Sequence, residues 1–458
     1  MLTDSLLIFA YLLVQVIVGS WAGRKIRSES DFLLGGRSIG YVFSVFTIFA
    51  TWFGAEACIG SSANVFANGL AGARIEPLGY TLALILCATL LAKRLREKSY
   101  TTLADFFSER YGQQVESLSV LILVPSTLIW TSAQILAFGQ ILHSITPLTF
   151  QNAVIVAVCV VVFYSMVGGF LGSVYADILQ GTVVIAGLCM LFVMTVAYHG
   201  FDISSAFVLS SVRESLNIPQ DEILGRIDMW AIPILGSLAS QELIGRLLAT
   251  RTPKIAKQAS LAAAGLYLLV GSLPVLLGLM GPLFPLQINR ADEFLPSLAK
   301  FILPGSLHVI FIAAILSAIL STANSSLITV TGLLSHNLFK PIARTMRPWQ
   351  VLWLNRVVLF CCGIVILLLA LSADRIFDLL LLASSVGTAG VLVITLMGLW
   401  SSWGDHRAAI FTLVIGLVCP FIYEHLLEVQ APFLSSIATC LVAFALLCPK
   451  NSPLRSLL

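Results

Sequence analysis

One stretch inside a long apolar region is rich in side-chain oxygen: ILSAILSTANSSLITVTG, residues 315–332, contains seven hydroxyl groups and one asparagine. On a helix of about 100° per residue, its polar side chains gather on one side: Ser317, Ser321, Asn324 and Ser325, flanked by Ala318, Thr322 and Thr329. The opposite side is predicted to face lipid or apolar protein: Leu316, Ile319, Leu320, Ala323, Leu327 and Val330. Such a polar row either joins helices through hydrogen bonds or holds a dehydrated hard cation, which requires several oxygen ligands.

Three carboxylates lie within or beside other apolar stretches. They are Glu56, Glu76 and Asp177, the last in GSVYADILQG. An acid in a membrane span is costly unless it is paired or lies on an ion path. Together with the oxygen row, these carboxylates favour cation binding over helix association.

The composition identifies the elements that must position these groups. The chain has 458 residues, of which 58% are hydrophobic and 11% charged, far below the roughly 25% charged residues of soluble domains. Many apolar runs reach the roughly 20 residues that a helix needs to cross a bilayer. The nine cysteines and six histidines show no metal-ligand spacing. The sequence therefore predicts an all-α polytopic membrane protein.

Thirteen spans are predicted, at 6–21, 41–66, 75–92, 118–142, 152–167, 174–198, 229–249, 261–284, 306–334, 351–371, 376–400, 408–423 and 432–447. With the amino terminus outside, all but six of the 26 Lys and Arg residues fall on the cytoplasmic side: the exceptions are Arg74, Arg213, Arg226, Arg290, Lys300 and Arg375. This arrangement follows the positive-inside rule and places the carboxy-terminal tail in the cytoplasm. We expect a multi-pass protein of the plasma (cell inner) membrane, with the lipid bilayer around it, no nucleic-acid partner and no obligate protein partner.

Two spans carry similar interruptions. The second contains ATWFGAEACIG (50–60), and the seventh contains IPILGSLASQE (232–242). They lie five spans apart and therefore cross the bilayer in opposite directions. Glycine or proline breaks at corresponding places in two halves of opposite topology indicate a transporter with inverted repeats.

Three motifs resemble the sodium:solute symporter family: DFLLGGRSIG (31–40), SMVGGFLGSVYADILQG (165–181) and AILSTANSSLITVTGLLSHNLFK (318–340). The resemblance covers nearly the whole chain and implies a LeuT-like fold of five-plus-five inverted repeats with about 13 transmembrane helices. The first repeat would be 41–198 and the second 229–400 in a single transporter domain. Residues 6–21 and 408–447 would add peripheral helices.

The resemblance also implies sodium as the coupling ion, with no organic cofactor. A first sodium site would be formed by the carbonyls of Ala50, Phe53 and Ala318 and the hydroxyls of Ser321 and Thr322. A second sodium site, present in some members, would correspond to Asp177, Ser321, Asn324 and Ser325.

For the small-molecule solute, the sequence is most similar to the high-affinity choline transporter branch of that family. The matching segments are TWFG (51–54), EPLGY (76–80), TLADFFSERYG (102–112), Trp130 and SQELIGRLLAT (240–250). This similarity implies an aromatic box for a quaternary ammonium group formed by Trp52, Tyr80 and Trp130, a type of group that aromatic faces bind well. Ser240 replaces the tryptophan of that branch, and Glu76 is an additional carboxylate; both are also predicted to contact the solute. Because of these two departures, an amino acid or other zwitterion and a sugar remain alternative solutes.

Two further expectations come from the residues themselves. Glu242 and Arg246 have the i, i+4 spacing of an ion pair on one helix. No histidine accompanies a candidate nucleophile in a polar span, and no soluble output domain is present, so a membrane enzyme or a sensor is disfavoured.

Overall fold

The structure is a computed structural model that describes residues 2–200, 223–288, 290–373, 379, 383 and 387–448. Most of the predicted loop 200–228, the first residues of the predicted span 376–400 and the tail 449–458 lie outside this part of the chain. The helices are α1 Leu2–Gly23, α2 Glu29–Leu34, α3 Tyr41–Trp52, α4 Ser61–Asn68, α5 Tyr80–Leu90, α6 Ala92–Glu97, α7 Leu103–Tyr111, α8 Gln113–Ile145, α9 Phe150–His199, α10 Ile223–Ala231, α11 Gln241–Ala249, α12 Pro253–Met280, α13 Phe294–Ile302, α14 Gly305–Gly332, α15 Lys340–Ala343, α16 Pro348–Ser372, α17 Thr388–Trp400, α18 His406–Phe421 and α19 Pro432–Leu447.

The predicted spans coincide with apolar helices. Among the described residues, eight helices are long and apolar enough to cross a membrane, or nine if the bent pair Tyr41–Trp52 and Glu56–Ala73 is counted as one span. Shorter apolar helices occupy three further predicted spans: Ile75–Leu90, Thr388–Trp400 and Pro432–Leu447. The all-α membrane architecture predicted from the sequence is therefore confirmed.

Helix α9 covers two predicted spans and is divided at Gly169. Its 50 residues would extend about 75 Å if straight, more than twice the hydrocarbon thickness of a bilayer. Gly169 has φ +49° and ψ −156°, a backbone conformation that glycine adopts more readily than other residues. Across this point the Tyr164 hydroxyl donates to the Gly172 carbonyl at 2.9 Å, a contact that a straight helix would not allow between residues eight apart.

Both predicted helix breaks are present. Helix α3 ends at Trp52, and the helical segment that starts at Glu56 continues at 65° to it. The second break follows Ile232–Gly236, after which α11 starts at Gln241 with Ser240 in an extended conformation (φ −63°, ψ 128°). These interruptions place free backbone groups and polar side chains inside the helical bundle.

Helix α14 carries the oxygen-rich sequence and is enclosed by other helices. Of the 18 most apolar consecutive residues in Gly305–Leu338, 78% are buried. Its hydroxyl side is buried, as are Leu316, Ile319 and Leu320 on the other side, each at 0% exposure. The apolar side therefore packs against protein and not against lipid, which is one of the two predicted alternatives.

The helical segment Leu333–Leu338, which directly follows α14, is anchored by Asp105 of α7, a helix that is not one of the candidate spans. Asn337 donates to its Oδ1 at 2.9 Å, and His336 Nε2 lies 3.3 Å from its Oδ2. Burial alone would raise the pKa of Asp105, but the bonds from His336 and from the Thr101 and Thr102 backbone amides hold this pKa below its usual value. This polar junction fixes the position of the oxygen-rich helix along its axis.

Candidate functional site

The break after α3 packs directly against α14. Phe53 follows the last helical residue with φ −79° and ψ 71°, outside the helical region. The Ala55 amide, at the start of the next segment, donates to Gln134 Oε1 at 3.1 Å. Because side chains from α8 and α14 surround the break, its backbone is held in a defined position.

Thr322 joins three of the groups predicted for the first sodium site. Its Oγ1 lies 3.4 Å from the Ala50 carbonyl and 3.2 Å from the Ala318 carbonyl. The Phe53 residue follows in the same break, whereas the Ser321 hydroxyl is turned to Asp177 Oδ1 at 2.6 Å. Neutral carbonyl and hydroxyl oxygens are suitable ligands for a hard cation such as sodium, so the residues around Thr322 fit the predicted ion.

Two of the four groups predicted for a second sodium site, Asp177 and Ser325, contact the guanidinium group of Arg246. Asp177 accepts hydrogen bonds from Thr47 and Ser321, and Arg246 Nη2 lies 3.6 Å from Asp177 Oδ2. Arg246 also donates to Ser325. The predicted Glu242–Arg246 pair is therefore wrong: Arg246 pairs with a carboxylate from another helix.

Asn324 lies on the same side of α14 but is engaged elsewhere. Its Oδ1 accepts a hydrogen bond from the Ser165 hydroxyl of α9, and its buried Nδ2 has no partner in the described part of the chain. Its oxygen therefore stabilises the contact between α9 and α14.

A cavity of about 500 Å³ lies beside the two breaks. Its lining includes four of the five residues predicted for solute binding: Trp52, Tyr80, Trp130 and Ser240. The rings of Trp52 and Tyr80 have centroids 5.3 Å apart at an angle of 60° and form one aromatic wall. Among the described residues the buried Ser240 Oγ has no hydrogen-bond partner, so it can bind a polar group in the cavity.

The acidic groups of the cavity differ from the one predicted. Glu76 is 3% exposed and is not among the described residues that line the cavity; the Tyr267 hydroxyl is 2.7 Å from both of its carboxylate oxygens. Glu56 lines the cavity instead, with its Oε2 3.5 Å from the Tyr80 hydroxyl. Glu242 and Glu424 also line it, and the lining contains no lysine or arginine among the described residues. Such an environment favours a positively charged solute.

Sequence reasoning missed two residues that support the site. Gln134 caps the segment after the break, and Tyr267 hydrogen-bonds Glu76 and lies 3.4 Å from the Trp52 carbonyl. A lone glutamine in an apolar span was a usable signal for the first, since polar residues in spans face the bundle interior. For Tyr267 the sequence offers no such signal.

Comparison with known proteins gives a family and a fold. The sodium:solute symporter family model matches residues 32–416. The chain is 27% identical to the high-affinity choline transporter 1 of Drosophila melanogaster over 390 residues, which are 81% of this chain and 62% of that protein. It is 24% identical to the human high affinity choline transporter 1, covering 83% of this chain and 69% of that protein. It therefore spans about two thirds of the length of these relatives.

Two other comparisons extend this result. The high-affinity proline transporter PutP of Bacillus subtilis (strain 168) is 27% identical over 373 residues, 78% of each chain. A solved structure of a sodium-coupled sialic acid symporter in a substrate-bound outward-open state matches with a TM-score of 0.82 at 15% identity, covering 98% of this chain and 99% of that one. The fold is thus LeuT-like, as predicted.

Proposed function

Because the chain belongs to the sodium:solute symporter family, we propose that it is a membrane-integral carrier that imports a small organic cation together with sodium. The observation that carries this proposal is the position of Trp52 and Ala50 on α3, just before its break. Trp52 lines the acidic and aromatic cavity, and the carbonyl of Ala50, two residues earlier, lies beside Thr322 Oγ1. One short segment therefore links the solute cavity to the ion ligands.

Sodium would be held by the carbonyls of Ala50, Phe53 and Ala318 with the Thr322 hydroxyl, and Ser321 would adjoin this set through Asp177. An ion at this place would tie α14 to the end of α3 and so order the break that carries Trp52. Each positive charge moving inward gains about 2.3 kcal/mol per 100 mV of membrane potential. Inward sodium movement would thus supply the free energy for solute accumulation.

The leading solute is choline or a similar quaternary ammonium compound. Such a group cannot donate hydrogen bonds, and desolvated aromatic faces bind it with about 2 kcal/mol or more. Trp52, Tyr80 and Trp130 would provide these faces, and Glu56 would balance the positive charge. The Ser240 hydroxyl, which lines the cavity, would bind the hydroxyl end of choline. The names of the choline transporter relatives support the same substrate class.

The orientation and repeats form part of the proposal. The amino terminus would lie outside and the tail in the cytoplasm, as the distribution of basic residues favours. The repeats 41–198 and 229–400 would each start near a broken helix, and alternating access would move one group of helices against the other. The carrier would need sodium and no organic cofactor, and no obligate protein partner.

Uptake into proteoliposomes tests this function. Labelled choline, glycine betaine, proline and glucose are supplied separately, with an inward gradient of sodium or of potassium. We expect choline to accumulate with sodium only, and unlabelled internal choline to accelerate exchange of the label. Sodium-driven uptake of proline, without uptake of choline, would show that the solute is an amino acid and not an organic cation. Equal uptake in sodium and potassium would refute sodium coupling.

A further inference from the structure

The oxygen cage that family resemblance assigns to a second sodium ion already contains the guanidinium of Arg246. Arg246 Nε donates to Thr51 Oγ1 at 2.9 Å, and Nη2 donates to Ser173 Oγ at 2.7 Å. Nη2 also donates to Ser325 and lies 3.6 Å from Asp177 Oδ2. The guanidinium thus contacts two of the four predicted ligands, Ser325 and Asp177, and Ser321 donates to the same carboxylate.

Four helices build this cage. Thr51 comes from α3, Ser173 and Asp177 from α9, Ser325 from α14 and Arg246 from α11. The side chains of Arg246 and Asp177 are 2% and 1% exposed, and the guanidinium carbon lies 4.4 Å from the centre of the Phe170 ring. The guanidinium is therefore held by oxygens at Nε and Nη2 and packs on one aromatic ring, whereas its buried Nη1 has no partner among the described residues.

Charge and geometry both oppose a second ion at this place. Asp177 carries the formal negative charge nearest to the guanidinium, and the two neutralise each other. A sodium ion among the same oxygens would lie within a few ångströms of a fixed positive charge in a site that excludes water, where repulsion is strong. The Asn324 oxygen, also predicted as a ligand, accepts from Ser165 instead.

We propose that Arg246 is a resident cation that takes the place of the second sodium ion, so that the carrier binds one sodium ion per cycle. The inference rests on the proposed function, since it concerns the same transport cycle. The sodium ion at Thr322 remains the only coupling ion. The fixed charge of Arg246 keeps α3, α9, α11 and α14 together around Asp177 without an ion from solution.

Counting bound sodium tests the inference without knowledge of the solute. Radioactive ²²Na⁺ is titrated onto purified protein in detergent, and the number of ions bound per protein molecule is measured at saturation. We expect one ion for the native protein and for Arg246→Lys, which keeps the charge. We expect two bound sodium ions for Arg246→Gln, because Asp177 and its hydroxyl neighbours no longer contact the guanidinium. We expect one bound ion for the double variant Arg246→Gln with Asp177→Asn, because the carboxylate is then also absent.

Each outcome has a clear meaning. Two ions on the native protein would overturn the inference while leaving sodium coupling intact, whereas no bound sodium at all would refute the proposed function itself. A folded Arg246→Gln protein that binds only one ion would also contradict the inference. If Arg246→Gln does not fold, two measurements on the native protein test the inference: the number of bound sodium ions and the flux ratio of ²²Na⁺ to labelled choline in proteoliposomes. We expect a flux ratio of one. A ratio of two would exclude the inference.

Discussion

Gly54 lies directly against Thr322: a Cβ atom added to Gly54 would come within 2.7 Å of Thr322 Oγ1. The same atom would be 2.8 Å from Gln134 Oε1, which caps the following segment. The break in α3 and the oxygen-rich helix α14 therefore approach each other at a place where only a residue without a side chain fits. This close approach connects the helix break to the proposed ion site.

Gly54→Ala should weaken sodium binding. The added methyl group must displace Thr322 or Gln134, so we expect the sodium concentration for half-maximal uptake to rise by about tenfold, a loss of about 1.4 kcal/mol. Gly60→Ala is the matched control, because its Cβ would meet only the Glu56 side chain, at 3.7 Å. Sodium titration of uptake in proteoliposomes measures both. Equal effects of the two substitutions would show that close packing at Gly54 has no special role.

Thr322→Val should raise the sodium requirement while leaving the fold intact. Valine has nearly the same shape as threonine but lacks the hydroxyl beside the Ala50 and Ala318 carbonyls. A hydrogen-bonding or ligand group on a charge contributes about 1.5–3 kcal/mol, which is a tenfold or greater loss of sodium affinity. Thr331→Val is the control, since its hydroxyl donates to the Leu327 carbonyl of its own helix at 2.8 Å. A Thr322→Val protein with native sodium affinity would remove Thr322 from the ion site.

Substitutions at Glu56 and Glu76 test which of the two carboxylates interacts with the cationic solute. Glu56→Gln removes one of the three carboxylates that line the cavity, the one beside the Tyr80 hydroxyl, so the KM for a cationic solute should rise by about tenfold, or roughly 1.4 kcal/mol. Glu76→Gln keeps an oxygen that can accept from Tyr267 and should change the KM much less. Uptake of labelled choline at saturating sodium measures both values. A larger effect at Glu76 would favour the carboxylate predicted from the sequence.

Trp52 should determine preference for a quaternary ammonium group. Trp52→Leu keeps an apolar side chain but removes the aromatic face, which binds a desolvated cation with about 2 kcal/mol, so choline affinity should fall by about thirtyfold. Trp349→Leu, at a tryptophan that is 57% exposed on the outer surface, is the control. Competition of unlabelled choline against labelled choline uptake measures the change. Unchanged affinity in Trp52→Leu would place the ammonium group elsewhere.

The sequence was sufficient to predict the broken helices and the polar side of α14, because glycine, proline and hydroxyl patterns act over a few residues. It did not predict which carboxylate faces the cavity. Helical periodicity fails across the break between Trp52 and Glu56, where the axis turns by 65°, so the direction of the Glu56 side chain is not readable from spacing. Local spacing also suggested Glu242 as the partner of Arg246, whereas the observed partner, Asp177, comes from another helix. Tertiary packing decides such pairs.

Asp228 should stabilise the contact between α10 and α19. Its Oδ1 accepts from the Leu434 amide at 2.6 Å and its Oδ2 from the Phe433 amide at 3.1 Å, two donors in the first turn of α19 that have no partner within the helix. Removing a cap of this kind costs about 1–2 kcal/mol. Asp228→Ala should therefore lower the Tm in detergent, and because Phe433 lines the cavity, it should also raise the KM for the solute.

The control for this substitution is Asp405→Ala. Asp405 caps its own helix, α18, by accepting from the Arg407 and Ala408 amides at 3.0 Å each, and it does not line the cavity. It should lower the Tm by a similar amount and leave the KM unchanged, because its contacts are local to one helix. Differential scanning fluorimetry and choline uptake provide the two measurements. If Asp228→Ala lowered the Tm without changing the KM, the contact between α10 and α19 would be structural only and would not shape the cavity.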